Sequence, residues 1–280
     1  FINERDFAIS HDGKEIYYTI STPKSSFQTI VVRHKADNGN WTSPEVVSFA
    51  GQYSDLEPAF SADGKTLYFS SNRPLTGDQP KDFDIWKVSR IGEGWGEPVN
   101  LGIPINTSAD EFYPSITVGG TIYFTAAYDG GIGKEDIYKS AFQNGEFQKP
   151  QVLDTMVNSK GYEFNAFVDP REQYILFTAY GRQDDMGGGD LYISTKNSKG
   201  DWQPAIHLSM LNSRQLDYCP YVSLDGKRLF FTSDRHELPK SFPAKNATYE
   251  NVIEVYTDPL NGTGNIYWVD FEQVLESIKR

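Results

Sequence analysis

An acidic residue returns at nearly equal intervals along this chain, at Glu4, Asp55, Glu111, Glu163 and Asp217. The spacings are 51, 56, 52 and 54 residues, and the residues around each acid return with it. A period of this length means that one supersecondary unit has been copied, because a unit so short cannot bury its apolar face alone. Residues 55–101 show the unit most completely. They read Asp55-Leu56-Glu57-Pro58-Ala59-Phe60-Ser61, a turn at Asp63-Gly64-Lys65, and Leu67-Tyr68-Phe69 followed by Ser70-Ser71-Asn72-Arg73. Asp84-Ile85-Trp86, then Trp95-Gly96-Glu97-Pro98 and Leu101, complete the copy.

Each copy thus carries four short apolar segments. The Asp-Gly dipeptide between the first two supplies the positive backbone angles of a two-residue hairpin. Pro98 interrupts the last, which suits an outer edge where a missing backbone donor is tolerated. Four antiparallel strands copied around an axis make the blade of a β-propeller, so the expected fold is all-β with five four-stranded blades. The unbroken period predicts a single domain over 1–280. Its blades fall at about 4–50, 51–104, 105–156, 157–211 and 212–270, with a C-terminal helix over 271–280.

The string acid-x-x-Pro-x-Phe-Ser-x-Asp-Gly-Lys-x-Leu-Tyr-Phe, followed by Ser-Asn-Arg and later Asp-Ile-Tyr or Asp-Ile-Trp, resembles the TolB-type, WD40-like propeller repeat of exported bacterial proteins. The resemblance covers nearly the whole chain. It implies a location in the periplasm or at the cell surface of a Gram-negative bacterium, and a protein partner in the envelope. Related modules accompany glycan-uptake systems, so a saccharide is the other implied ligand. Such repeats also occur in peptidase propellers and sugar-degrading enzymes, and the resemblance therefore speaks to architecture more than to activity.

Composition narrows the partners. A formal net charge of −12 argues against a nucleic-acid backbone or an anionic membrane surface. One cysteine, Cys219, permits no internal disulfide framework. It falls in a predicted inner strand, where an inert buried thiol is the expected state. No apolar run approaches the roughly 18 residues of a membrane span. The chain begins at Phe1 rather than methionine, which suggests that a secretion or lipoprotein signal has been removed.

The copies differ in instructive places. Blade four has Ala166 where the proline recurs and Pro170-Arg171-Glu172 in place of the Asp-Gly turn. Asn106, Asn158 and Asn212 each stand five residues before an acid, which predicts a fixed inter-blade turn capped by the asparagine side chain. Blade five carries an insertion over 236–264, with Tyr249, Val252, Ile253 and Tyr256 at helical spacing and a stop at Asp258-Pro259. The sequence then offers no fourth strand for this blade. Residues at or before Phe1-Ile2-Asn3, or the C-terminal helix, are expected to close the ring.

Candidate chemistry follows from the same register. The acids Glu4, Asp55, Glu111, Glu163 and Asp217 lie at the start of the innermost strands, so they could ring one mouth of the channel. A ring of oxygen ligands there would suit a hard cation such as calcium, or a cationic or polyhydroxylated partner. Alternatively, each acid accepts backbone hydrogen bonds from its own inter-blade turn, and recurrence in every blade favours this. A carbohydrate-active enzyme of glycoside hydrolase or lyase type would need two carboxyls with distinct environments, with Glu111 and Glu163 the first to test. His11, His34, His207 and His236 occupy four different blade positions and should not converge on one ion. Arg73 and Arg235, with Tyr128 at the same register, either form a binding face or bridge to the acids. The expectation is a binding or scaffold module without a cofactor, calcium aside. Its specific contacts would lie where the insertion meets the channel mouth, beside Arg235 and Tyr218.

Overall fold

The structure, a computed structural model, describes residues 2–242 and 247–279; Phe1, named above for ring closure, lies outside them. Five antiparallel sheets surround an axis, and the chain is an all-β propeller. The inner strands are Asn3–Ile9, Asp55–Phe60, Glu111–Ile116, Tyr162–Val168 and Asp217–Val222. Each pairs with a second strand and that with a third, while Glu45–Val46, Val99–Asn100, Gln151–Val152 and Ile206–His207 form short outer strands in the first four blades. Blade five has three strands among the described residues.

The apolar faces of neighbouring blades pack on one another, and the core is distributed between blades. Leu67 and Phe69 meet Tyr17 and Val32 between blades one and two, and Phe177 and Tyr192 meet Tyr123 and Ile137 between blades three and four. Burying one such large side chain contributes about 1.5–3 kcal/mol. The inter-blade asparagines join these layers more closely than a turn cap would. Asn106, Asn158 and Asn212 each accept from the backbone N–H, and donate to the C=O, of Ile85, Ile137 and Leu191 on the preceding blade's third strand, at 2.8–3.1 Å. The side-chain amide acts as one more peptide unit on the edge of that strand.

Ring closure repeats the contact used elsewhere. The backbone N–H of Glu111, Glu163 and Asp217 donates to the carbonyl just before the third strand of the preceding blade, at Phe83, Glu135 and Gly189. At the seam, Glu4 N–H donates to Gly264 O at 2.8 Å, and Gly264 N–H returns to Asn3 Oδ1 at 2.7 Å. Phe7 stacks on Phe230 with centroids 4.1 Å apart. The first strand therefore belongs wholly to blade one and does not serve as an outer strand of blade five. A helix in the insertion, α1 (Tyr249–Thr257), is capped by Thr248, as the apolar spacing predicts. The C-terminal helix, α2 (Phe271–Ser277), buries Phe271 and Val274 against Leu176, Leu191, Leu229 and Phe231. It fills the cleft between blades four and five rather than the seam.

Asn158 is 1% exposed and makes a third bond to Leu153 O. Replacing it with alanine leaves buried backbone groups unpaired, and urea unfolding should show a loss of about 1–3 kcal/mol. An unchanged midpoint would contradict the edge-extension role.

Candidate functional site

The recurring acids are turned into the connections between blades. Glu111 accepts from Thr107 N–H and Oγ1, Glu163 from Ser159 N–H and Oγ, and Asp217 from Ser213 N–H. A second group then bridges each acid to the carbonyl six residues before it. Arg73 reaches Asp55 at 2.6 Å and Phe49 O at 2.9 Å, and Arg235 reaches Asp217 at 2.8 Å and Leu211 O at 2.6 Å. Tyr128 Oη lies 2.8 Å from Glu111 and 2.7 Å from Ile105 O. Arg182, which the sequence reading passed over, holds Glu163 and Val157 O. In blade one Tyr18 accepts from Arg33 at 3.0 Å, and burial raises the Glu4 carboxyl against the pull of Arg33.

The carboxylates of Asp55, Glu111, Glu163 and Asp217 are fully buried in these latches, and the structure does not bring them together at a mouth. Arg73, Tyr128 and Arg235 belong to the latches too. Among the described residues no group of three or more His, Cys, Asp or Glu is placed to hold a metal ion.

What converges on the axis is the residue two positions after each acid. Asp6, Glu57, Tyr113, Asn165 and Cys219 all adopt positive φ, between 50° and 63°, each at a bulge in the inner strand's pairing. A non-glycine residue in this region is uncommon. A bulge bends the strand and re-aims one side chain, and here five bulges at one height aim five different side chains inward.

Glu57 is the centre of the cluster they form. Its Oε1 accepts from Arg5 at 2.8 Å and Asn165 Nδ2 at 3.2 Å; its Oε2 accepts from Tyr113 N–H at 2.7 Å and Ser70 Oγ at 3.0 Å. Burial holds its carboxyl above the usual range, against the pull of Arg5. Asp6 Oδ1 accepts from Arg5 Nε at 2.8 Å and from the Cys219 thiol at 2.7 Å, while Asp6 Oδ2 is buried with no hydrogen-bond partner. Burial pushes the thiol of Cys219 well up, so it stays protonated. Tyr218, singled out from the sequence, is buried beside this cluster with the Arg5 guanidinium 5.2 Å from its ring centroid.

Above the cluster, on the side of the inner hairpins, opens a cavity of about 600 Å³. Its floor includes Asp6, Glu57 and Tyr113, and its wall carries Phe7, Phe60, Phe167, Tyr174 and Tyr221. All five hairpin turns contribute to the rim, among them His11, Ala62, Val118, Arg171 and Leu224. This is the end of the propeller opposite to the latches. None of the described residues of the 236–264 insertion lines it.

Together these features define a five-bladed propeller with an asymmetric polar cluster beneath an axial cavity. Neither the protein-family models nor the curated proteins give a match to the chain. Solved structures do resemble it. A TolB-assigned protein from Agrobacterium tumefaciens superimposes with a TM-score of 0.52 at 16% identity, over 82% of this chain and 69% of that one. The α-L-arabinofuranosidase PaAbf62A from Podospora anserina gives 0.51 at 12%, over 96% and 90%. An endo-arabinase from Bacteroides thetaiotaomicron gives 0.53 at 14%, over 96% and 94%. At such identities the likeness shows the propeller fold alone.

Two outcomes follow from the buried charges. Arg5→Met would leave Glu57 and Asp6 without their shared cation, and denaturant unfolding should show a loss of about 3–5 kcal/mol; a loss below 1 kcal/mol would contradict the bridging role. The Glu111 carboxyl is pushed up to about 7, chiefly by burial. The folded chain thus holds a proton there that the unfolded chain has released above the ordinary carboxyl range, and this contribution to stability falls as pH rises towards 7. Glu111→Gln should flatten the fall in unfolding free energy between pH 5 and 7, and an unaltered slope would contradict the shift.

Proposed function

We propose that this chain is an exported, non-enzymatic binding module of a bacterial envelope, engaging a protein or saccharide partner at the mouth of the axial cavity. The observation that carries this reading is the cavity itself, which is closed at one end by a preorganised cluster and open at the other. Its volume of about 600 Å³ falls within the range of ligand sites, and such sites combine apolar walls with a few placed polar groups. Export and envelope location rest on the sequence repeat and its resemblance.

The polar floor supports binding over catalysis. Glycoside hydrolysis needs two carboxyls on either side of the scissile bond, with the substrate between them. Asp6 and Glu57 instead share one guanidinium, and every Glu57 oxygen already accepts two hydrogen bonds. A group so saturated is a poor proton shuttle, since it must break structural bonds to reach a substrate.

Titration calorimetry with a panel of plant and algal oligosaccharides and short peptides tests the reading. The expected result is saturable binding without release of new reducing ends. Val118, 66% exposed on the rim, should matter: Val118→Trp narrows the mouth and is expected to weaken binding at least tenfold without altering the fold. Release of reducing ends that disappears in a folded Asp6→Asn variant would overturn the proposal in favour of a carbohydrate-active enzyme.

A further inference from the structure

The free oxygen on the cavity floor limits what the occupant can be. Asp6 lines the cavity and is 2% exposed; its Oδ1 is engaged by Arg5 and Cys219, and its Oδ2 is buried with no hydrogen-bond partner. A buried carboxylate oxygen without a donor is costly, and a group that supplies one would lower that cost.

Several hydroxyl groups around the cavity are already committed. Tyr113 Oη donates to Pro220 O, Ser61 to Asp63 and Ser223 to Asp225. The Arg5 guanidinium is directed at Asp6, Glu57 and Cys219. The acceptor on the floor thus stands beside the Tyr113 hydroxyl and the Arg5 guanidinium, both already engaged. A sugar hydroxyl both donates and accepts, whereas an ammonium only donates.

Charge and shape agree with this. The floor holds the carboxyl groups of Asp6 and Glu57 around the single guanidinium of Arg5, and the rim adds Asp169 and Asp225 against Arg171, with His11 beside them. Phe7, Phe60, Phe167, Tyr174 and Tyr221 surround the space with aromatic side chains. Aromatic faces attract a cation, more strongly where water is excluded. The whole chain is acidic, which favours approach of a positive ligand.

From these observations, and resting on the binding reading above, we infer that the axial cavity accepts an alkylammonium group, its nitrogen donating to Asp6 Oδ2 and its carbon chain lying against the aromatic wall. The same chemistry could be supplied by a lysyl side chain of a partner or by a free amine. The two sources differ in whether peptide groups flank the chain at the rim.

Calorimetry at pH 7 with four probes tests the inference: Nα-acetyl-lysine methylamide, its norleucine isostere, n-butylamine, and methyl glucoside. The lysine analogue and butylamine are expected to bind, and the norleucine analogue and the glycoside to bind at least about tenfold more weakly. Tighter binding of the lysine analogue than of butylamine would point to a partner's side chain, and the reverse order to a free amine; either order supports the assignment. Asp6→Asn should weaken ammonium binding at least about tenfold while circular dichroism shows a folded propeller. Because that residue is buried, a rim variant serves as a second test. Leu224 is 50% exposed at the mouth, and Leu224→Arg should weaken the ammonium probes by repulsion and leave the norleucine analogue unaffected. Equal binding of lysine and norleucine analogues would overturn the ammonium assignment, as would binding of the glycoside alone; both would leave the cavity as a binding site. No binding of any probe or of the wider panel to the folded chain would overturn the binding reading with it.

Discussion

A carboxylate can lie at the centre of a protein only if donors surround it, and Glu57 has four, contributed by four blades. Arg5 comes from blade one, Ser70 from its own blade, the Tyr113 N–H from blade three and Asn165 from blade four. The fifth blade joins through Cys219, which donates to Asp6 on the same guanidinium. These bonds exist because every inner strand bulges at the same height. Each bulge holds a non-glycine residue at positive φ, a strain of about 1–3 kcal/mol per residue that persists only where the surroundings fix it. Packing between blades and the axial hydrogen bonds together provide that fixing.

Polar groups in this propeller are sorted by height along the axis. At one end the recurring acids, arginines and asparagines tie each blade to the next, and their chemistry is consumed in the fold. At mid-height the bulged residues make a cluster that belongs to no repeat. At the other end the hairpin turns hold open a cavity whose floor is that cluster. A symmetric scaffold thus carries an asymmetric site, because in blades two to five the latches repeat an acid with a bridging arginine or tyrosine, while the residues at the axis share no chemistry.

This sorting explains what could be read from the sequence. Five blades, the hairpin turns and the helix over Tyr249–Thr257 were legible because each leaves a local pattern: a period, a dipeptide, a helical spacing. The acids Glu4 to Asp217 were legible as a set, and so was the option that they serve their own turns. The axial cluster was not, since Asp6, Glu57, Tyr113, Asn165 and Cys219 share no chemistry and a search for recurrence passes over them. A usable signal was present all the same. Three of the five stand directly before a recurring proline, at Pro58, Pro114 and Pro220, and the register of the acids numbers the other two. Arg182 was missed for a similar reason, because Gly181-Arg182 replaces the Asn-Arg seen at Arg73. The closure of the ring through Gly264 depends on contacts 260 residues apart, as Glu4 N–H to Gly264 O shows, and no local pattern encodes that.

The single thiol of Cys219 reports on the centre of the account, since it is 1% exposed and hydrogen-bonded within the axial cluster. The rate at which a water-soluble disulfide reagent modifies it, compared with the rate for the chain in denaturant, is the most direct measurement. If five bulged strands seal the axis, modification of the native chain should be limited by unfolding and slow in proportion to stability. A native thiol that reacts at close to the denatured rate would contradict a sealed, hydrogen-bonded axis.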